Sequence, residues 1–352
     1  MSPRRRELLG LLAAAPWVSC AAAHAAIMPL AAAWREGRQA RVGLLEPEGA
    51  GYRPRAALDV PTRAHGLAWA GDGSLLAVAR RPGEWLQRQS PDGRLLTRRW
   101  AAPDRCFNGH LLMDADGRHL FSTETAQDGD RGLLVRRALA SLEALAEWPS
   151  GGRDPHELLQ DGQGDLWVAN GGIPAQAETG RMKLQLAQMD ASLARLDGRS
   201  GALREQWRLE DARLSLRHLA WGPRDPDSGR AVLGIALQAE HEDPSCRAEA
   251  PLLALFDGRR LRACSNPPLA GYGGDIAWTG SQWCVSATRA NCLAFWHADG
   301  RWAGTQALPG AGALASRGGQ LLAGGSATLG QGLTLDNHWL AAAAAGVQEQ
   351  SD

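Results

Sequence analysis

The sequence predicts an all-β chain folded as a β-propeller, and three observations carry that prediction. A strand–turn–strand unit recurs along the chain, which marks a repeat architecture. The turns within the units carry Asp-Gly or a bare Gly, residues that supply the positive φ of tight hairpins. Composition agrees, with 42 glycines and 14 tryptophans against five methionines, as suits many short strands joined by tight turns.

The first 25 residues stand apart. Arg4-Arg5-Arg6 precedes Glu7-Leu8-Leu9 and an apolar run from Gly10 to Val18 that is too short to cross a bilayer. Ala23-His24-Ala25 is a small-x-small cleavage site, so residues 1–25 read as a removable signal peptide of the twin-arginine type. That leaves one propeller domain over residues 26–352, localised to the periplasm, with no transmembrane segment after cleavage. Export of an already folded chain suits a protein that acquires a metal before it crosses. A lipoprotein alternative rests on Val18-Ser19-Cys20, although Trp17 stands where such a box favours Leu.

The units follow in order. His65-Gly-Leu-Ala-Trp69 leads through Gly71-Asp-Gly73 to Ser74-Leu-Leu-Ala-Val-Ala79. His110-Leu-Leu-Met113 and His156-Glu-Leu-Leu159 open two more, each followed by a glycine turn and a second apolar strand. His218-Leu-Ala-Trp221 and Asp275-Ile-Ala-Trp278 open later copies, and Gly312 to Gly324 is a degenerate sixth. A second hairpin follows several units, as at Ser90-Pro-Asp-Gly93, giving the four strands of a propeller blade. Strands before Val60 and after Gly324 close the ring as a shared blade, which brings the count to seven blades, with six or eight as alternatives. Gly171 to Ser192 is an insertion carrying Met182, Leu184, Leu186 and Met189 at roughly helical spacing, to be read as a short capping helix or as a packed loop.

In a propeller the first strand of each blade lines the central channel. His65, His110, His156 and His218 open such strands, Asp275 holds the corresponding place, and Asp336-Asn337-His338 adds to the set if the last strand returns to the axis. Several imidazoles aimed at one volume suit a transition metal, iron or copper here, with His65, His110, His156, His218 and His338 as ligands. Aligning units on their tryptophans or on their turns shifts the histidines by one residue, and such a shift reverses the face a strand side chain presents. The alternative is that these histidines satisfy neighbouring backbone groups.

Asn108, Glu157, Asn170, Arg217 and Asn337 flank the same strands and are candidate ligand-binding residues. Glu124 and Arg153 lie close by, and the arginines favour an anionic ligand or a chelated metal; each of these residues also has a structural reading as an ion pair or loop hydrogen bond. Cys106, four residues before His110, is either a soft ligand or an inert buried thiol. Five cysteines follow residue 25, an odd number. Cys284 and Cys292 flank Thr288 symmetrically and are placed to pair across a hairpin, with Cys246 and Cys264 as a weaker second pair and Cys106 left free.

With 38 basic and 38 acidic side chains there is no net field to draw the chain to nucleic acid or anionic lipid. Gly-x-Ser-x-Gly, His-Glu-x-x-His and Cys-x-x-Cys-His are all missing, so no catalytic residue is nominated. The balance of readings is against catalysis without deciding it.

Phe107-Asn-Gly-His110, Asp154-Pro-His-Glu-Leu158 with Val168-Ala-Asn-Gly-Gly-Ile173, Ser192-Leu193, Leu214-Ser-Leu-Arg-His-Leu219 and Asp336-Asn-His338 together resemble domain-of-unknown-function family 1513, exported propellers of Gram-negative bacteria. The resemblance covers essentially the whole mature chain and singles out Asn108, His110, His156, Glu157, Asn170, Arg217, His218, Asn337 and His338. In that family the genes often neighbour imelysin-type peptidases linked to iron uptake and di-haem-oxidoreductase-like proteins, which implies a periplasmic role near iron handling. Asp154 departs from the family pattern, which would place Gly before the proline.

The function expected is therefore a monomeric periplasmic propeller that binds a metal ion, a metal complex or a small anionic ligand at the channel mouth, alongside partner proteins of an iron-uptake system. The rival readings are a channel-mouth enzyme, lactonase-like or oxidoreductive, and a protein-interaction scaffold with structural histidines.

Overall fold

A computed structural model describes residues 28–49, 51–126, 131–174, 185–226, 229–330 and 332–341. The expected signal peptide and Cys20 lie outside them, as do Met182 and Leu184 of the insertion.

Strands follow one another with little else between. The chain opens with β1 (Leu30–Glu36), β2 (Gln39–Glu48) and β3 (Gly51–Val60). Four-stranded sheets then form in turn. The first is β4 (Ala64–Trp69), β5 (Leu75–Ala79), β6 (Trp85–Gln89) and β7 (Leu95–Trp100). The next holds β8 (Arg105–Met113), β9 (His119–Ala126), β10 (Arg131–Ala138) and β11 (Ala144–Pro149). After it come β12 (Pro155–Gln160), β13 (Leu166–Asn170), β14 (Ser192–Leu196) and β15 (Leu203–Trp207). Then follow β16 (Leu214–Arg224), β17 (Ala231–Ala239), β18 (Leu253–Phe256) and β19 (Leu261–Cys264). The last of this series is β20 (Gly273–Trp278), β21 (Gln282–Ala287), β22 (Cys292–His297) and β23 (Trp302–Ala307). A hairpin of β24 (Leu314–Arg317) and β25 (Gln320–Ala323) precedes β26 (Leu333–Ala341), which pairs antiparallel with β1 and completes the sheet β26-β1-β2-β3.

Both chain ends thus share one blade, as the sequence predicts. Each first strand packs beside the first strand of the next blade, β4 on β8, β8 on β12, β12 on β16, β16 on β20, and β26 back on β4. Among the described residues this is a propeller of six blades, six four-stranded sheets, and not the seven counted from the repeats. The discrepancy lies in the degenerate unit: Leu314–Ala323 forms only a two-stranded sheet, wedged between β20 and β26.

The turns behave as their composition requires. Gly73, Gly93, Gly117 and Gly164 all take positive φ, and the aspartates before them accept backbone N–H groups, as Asp72 does from Ser74 and Asp161 from Gln163. The core lies between blade faces. Trp283 is fully buried against β17, where Gly234 makes room for it: a Cβ there would lie 2.4 Å from the ring. Truncating a tryptophan so enclosed costs about 3–5 kcal/mol. The insertion forms a packed loop where it is described, with a single 3₁₀ turn at Leu186–Gln188 and Met189 buried. Among the described residues no helix is long and apolar enough to cross a membrane.

Candidate metal centre

The first strand of every complete blade breaks register, and it does so at the residue facing the axis. On β4 the pairing moves from Ala64↔Ala79 to Leu67↔Ala77, so one extra residue is accommodated around His65. The same happens around His156 on β12, His218 on β16 and Asp275 on β20. Around His110 on β8 and His338 on β26 the break holds two extra residues. Bulges of this kind bend a strand and re-aim its side chains. They also explain why units could be aligned in two registers, since the axial residue sits at different offsets within the bulge.

The result is a cluster of five imidazoles. His65 and His110 ring centroids are 4.8 Å apart, His110 and His156 4.5 Å, His156 and His218 4.7 Å, His218 and His338 4.6 Å, and His338 and His65 4.5 Å, closing a ring of contacts around the axis. His156 Nε2 and His218 Nε2 are 3.3 Å apart. Donor atoms of His65, His110, His156 and His218 all lie within 4.8 Å of one another. Close approach of β4 and β8 requires glycine. Gly109 has φ +99°, and a Cβ there would sit 2.7 Å from His65 Cδ2.

Two carboxylates complete the centre. Glu157 follows His156 directly, yet the bulge lets both reach the cluster: Glu157 Oε2 accepts the Leu219 N–H at 2.7 Å and lies 3.4 Å from His218 Nδ1, and Oε1 is 3.9 Å from His110 Nδ1. Asp275 accepts the N–H of Ile276 at 2.9 Å and that of Leu314 at 2.8 Å, and its Oδ2 is 3.2 Å from His338 Nδ1.

Burial holds His65, His110 and His156 well below the ordinary imidazole range, helped by the positive neighbours each would have to face. Burial and His338 push His218 down to about 3. His338 is the exception. Burial opposes its charge, but Asp275, Glu157 and Asp336 outweigh that and raise it. Four imidazoles are therefore neutral at pH 7, the form that ligates metals. Three of the buried ring nitrogens, His110 Nε2, His218 Nδ1 and His338 Nε2, have no hydrogen-bond partner, although a buried polar atom left so costs about 1–3 kcal/mol. A metal ion would satisfy such nitrogens. The donors present fit a borderline transition metal.

A buried charged group backs the cluster. Arg217 donates to Asp154 Oδ2 at 3.0 Å and lies 3.5 Å from His156 Nδ1, while Arg81 pairs with the other oxygen of Asp154. Asp154 has φ +53° and is fully buried. The left-handed conformation accounts for the glycine expected there, and aspartate is one of the few residues that tolerate it. Sequence reasoning noted Asp154 only as a departure and missed Arg81 altogether. The unusual residue type at a motif position was the available signal.

The other predicted residues are placed elsewhere. Asn108 is fully buried and bridges Thr125 and the Pro155 carbonyl, and Asn170 is fully buried against Ser150. Both pin neighbouring strands. Glu124 pairs with Arg137, and Arg153 donates to the Gln188 carbonyl. Asn337 lines a cavity of about 340 Å³ beside the short hairpin, together with Asp336, Thr288 and glycine-rich backbone. All five cysteines among the described residues are free. Cys284 faces Phe295 and Cys292 faces Ala287, so the hairpin register does not put the two thiols opposite one another, and the disulfides considered from spacing do not form. Asp114, Asp116 and His119 form a further grouping, but Arg136 donates into it at 3.0 Å and fills a cation's place.

The model of a family described as "protein of unknown function (DUF1513)" matches residues 58–349. No curated protein matches the chain. Among solved structures, the β-propeller domain of Myceliophteria thermophila Cps50 (Swd1) is 13% identical with a TM-score of 0.56, covering 87% of this chain and 95% of that one. A functionally unknown protein from Desulfotomaculum acetoxidans DSM 771 is 12% identical with a TM-score of 0.51, covering 79% and 81%. A chain of a nidogen/laminin complex is 14% identical with a TM-score of 0.50, covering 90% and 98%. These likenesses concern the propeller fold alone.

Proposed function

We propose that this chain, which belongs to the DUF1513 family, is a metal-binding propeller that holds a first-row transition-metal ion, iron or copper, on its axial histidines. One observation carries the reading: four imidazoles from four different blades bring donor atoms within 4.8 Å of one another. Burial keeps each of them neutral, the protonation state a metal requires. The 3.3 Å between His156 Nε2 and His218 Nε2 is close to the roughly 3.4 Å between two nitrogens bound tetrahedrally at about 2.1 Å.

In this reading His65, His110, His156 and His218 are ligands, Glu157 orients His110 and His218, and Arg217 with Asp154 fixes His156. The protein binds and carries its ion without turning over a substrate. The twin-arginine-like leader supports a periplasmic site of action and metal acquisition before export. Iron is proposed as the natural cargo on the resemblance read from the sequence, which implies a role near iron handling.

The test is titration of untagged, chelator-stripped protein with Fe(II) under anaerobic conditions and with Cu(II), followed by calorimetry. At least one equivalent should bind, and His156→Ala and His218→Ala should abolish or severely weaken uptake while circular dichroism stays unchanged. Uptake below about a tenth of an equivalent by the parent protein would refute the proposal.

A further inference from the structure

The axis offers more donors than one ion can use. A first-row ion takes about four to six ligands, and ligands at about 2.1 Å from a common ion can be no more than about 4.2 Å apart. Five imidazoles and two carboxylates line the axial volume. Their donor atoms fall into two groups, each mutually within 4.8 Å and so needing a few tenths of an ångström of closure to meet one ion: His65, His110, His156 and His218 in one, and His218, Asp275 and His338 in the other. Only His218 belongs to both.

The second group has the character of a site in its own right. Asp275 Oδ2 and His338 Nδ1 are 3.2 Å apart, a spacing that two ligands of one ion adopt. Asp275 is held rigidly by the N–H groups of Ile276 and Leu314, as ligating carboxylates commonly are. Those contacts tie it to the short hairpin through Leu314. His338 is nine-tenths buried and its Nε2 has no partner. Charge is also apportioned: Glu157 lies beside His110 and His218, and Asp275 beside His338, so each group carries one carboxylate to offset a dication. His218 Nε2 faces His156 at 3.3 Å, and its Nδ1 is buried without a hydrogen bond, 3.4 Å from Glu157 Oε2.

From this arrangement, and resting on the metal-binding reading above, we infer that the centre is dinuclear. One divalent transition-metal ion sits on His65, His110 and His156, a second sits on Asp275 and His338, and His218 lies between as an imidazolate common to both; binding the second ion releases to solvent the ring proton of His218 and the proton that His338 shares with Asp275.

Stoichiometry tests this with Cu(II) as the probe, added to the untagged apoprotein and counted by metal analysis after removal of free ion. The wild type should retain two equivalents, and Asp275→Asn should retain one. His338→Gln, which keeps the side chain polar and of similar bulk, should also retain one and guards against a folding defect in the first variant. One equivalent in the wild type would overturn the dinuclear centre, leave metal binding standing, and make Asp275 an orienting group for His338. Two equivalents in both variants would overturn it as well, because the second ion would then lie elsewhere. No uptake by the wild type would overturn both readings together.

Discussion

His156 Nε2 lies 3.3 Å from His218 Nε2, although the two residues lie on the first strands of different blades. Both rings are neutral and carry one proton each; two N–H groups facing each other at 3.3 Å would repel, so one of the facing nitrogens donates and the other accepts. The other ring nitrogens are constrained too, since Arg217 approaches His156 Nδ1 and Glu157 approaches His218 Nδ1. These neighbours favour His156 Nε2–H as donor and His218 Nε2 as acceptor, and an ion bound between the two rings would displace that single shared proton.

Glu157 acts through the imidazoles it touches. Glu157→Gln should leave metal stoichiometry unchanged and weaken affinity about 10- to 100-fold, the effect usual for a residue that orients a ligand. Competition with a chromophoric chelator measures this. Unchanged affinity would show that the carboxylate does not position His110 or His218.

Gly109 separates a steric from a conformational effect. Gly109→Ala combines a positive φ with a 2.7 Å clash on His65, and should cost about 1–3 kcal/mol while displacing a proposed ligand. Gly73→Ala has a positive φ but open space around the new Cβ, and should cost about 1 kcal/mol and leave metal uptake intact. Urea unfolding of both variants, with metal binding measured in parallel, makes the comparison.

Asp154 sets backbone conformation against charge. Asp154→Gly would relieve a left-handed residue, worth about 1 kcal/mol, but would strip the buried Arg217 of its carboxylate, a loss of about 3–5 kcal/mol. The second effect should win, so the family-like glycine should destabilise this chain. A rise in Tm would show that the ion pair contributes little.

The thiols should react unequally. Cys246 is exposed, whereas burial pushes Cys264 up to about 11 and Cys284 higher still. The thiolate is the reactive form, so a raised pKa slows alkylation at pH 8. In a chain lacking its first 25 residues, Cys246 should label first under native conditions, and all five cysteines should label after denaturation. Fewer than five would reveal a disulfide.

Much of this fold was legible because a propeller repeats its signals. Glycine turns and apolar strand pairs marked each complete blade, and the closure by both chain ends followed from strands left over. The blade count was not legible, because Gly312–Gly324 keeps the pattern of a first hairpin and lacks the second. The axial histidines were legible as a set. Their common direction was not, since strand alternation sends His156 and Glu157 to opposite faces unless the backbone bulges between Pro155 and Leu158. Asn108 and Asn170 share the motifs of the site, yet they fasten strands beside it. Arg81 carried no signal, because its partner Asp154 lies two blades on in sequence.

X-ray absorption fine structure on metal-loaded protein reads out axial imidazole ligation itself. Nitrogen neighbours near 2.0–2.1 Å with the outer-shell scattering of three or more imidazoles are expected from it. A spectrum of oxygen neighbours with no imidazole scattering would place the ion away from the histidines and contradict it.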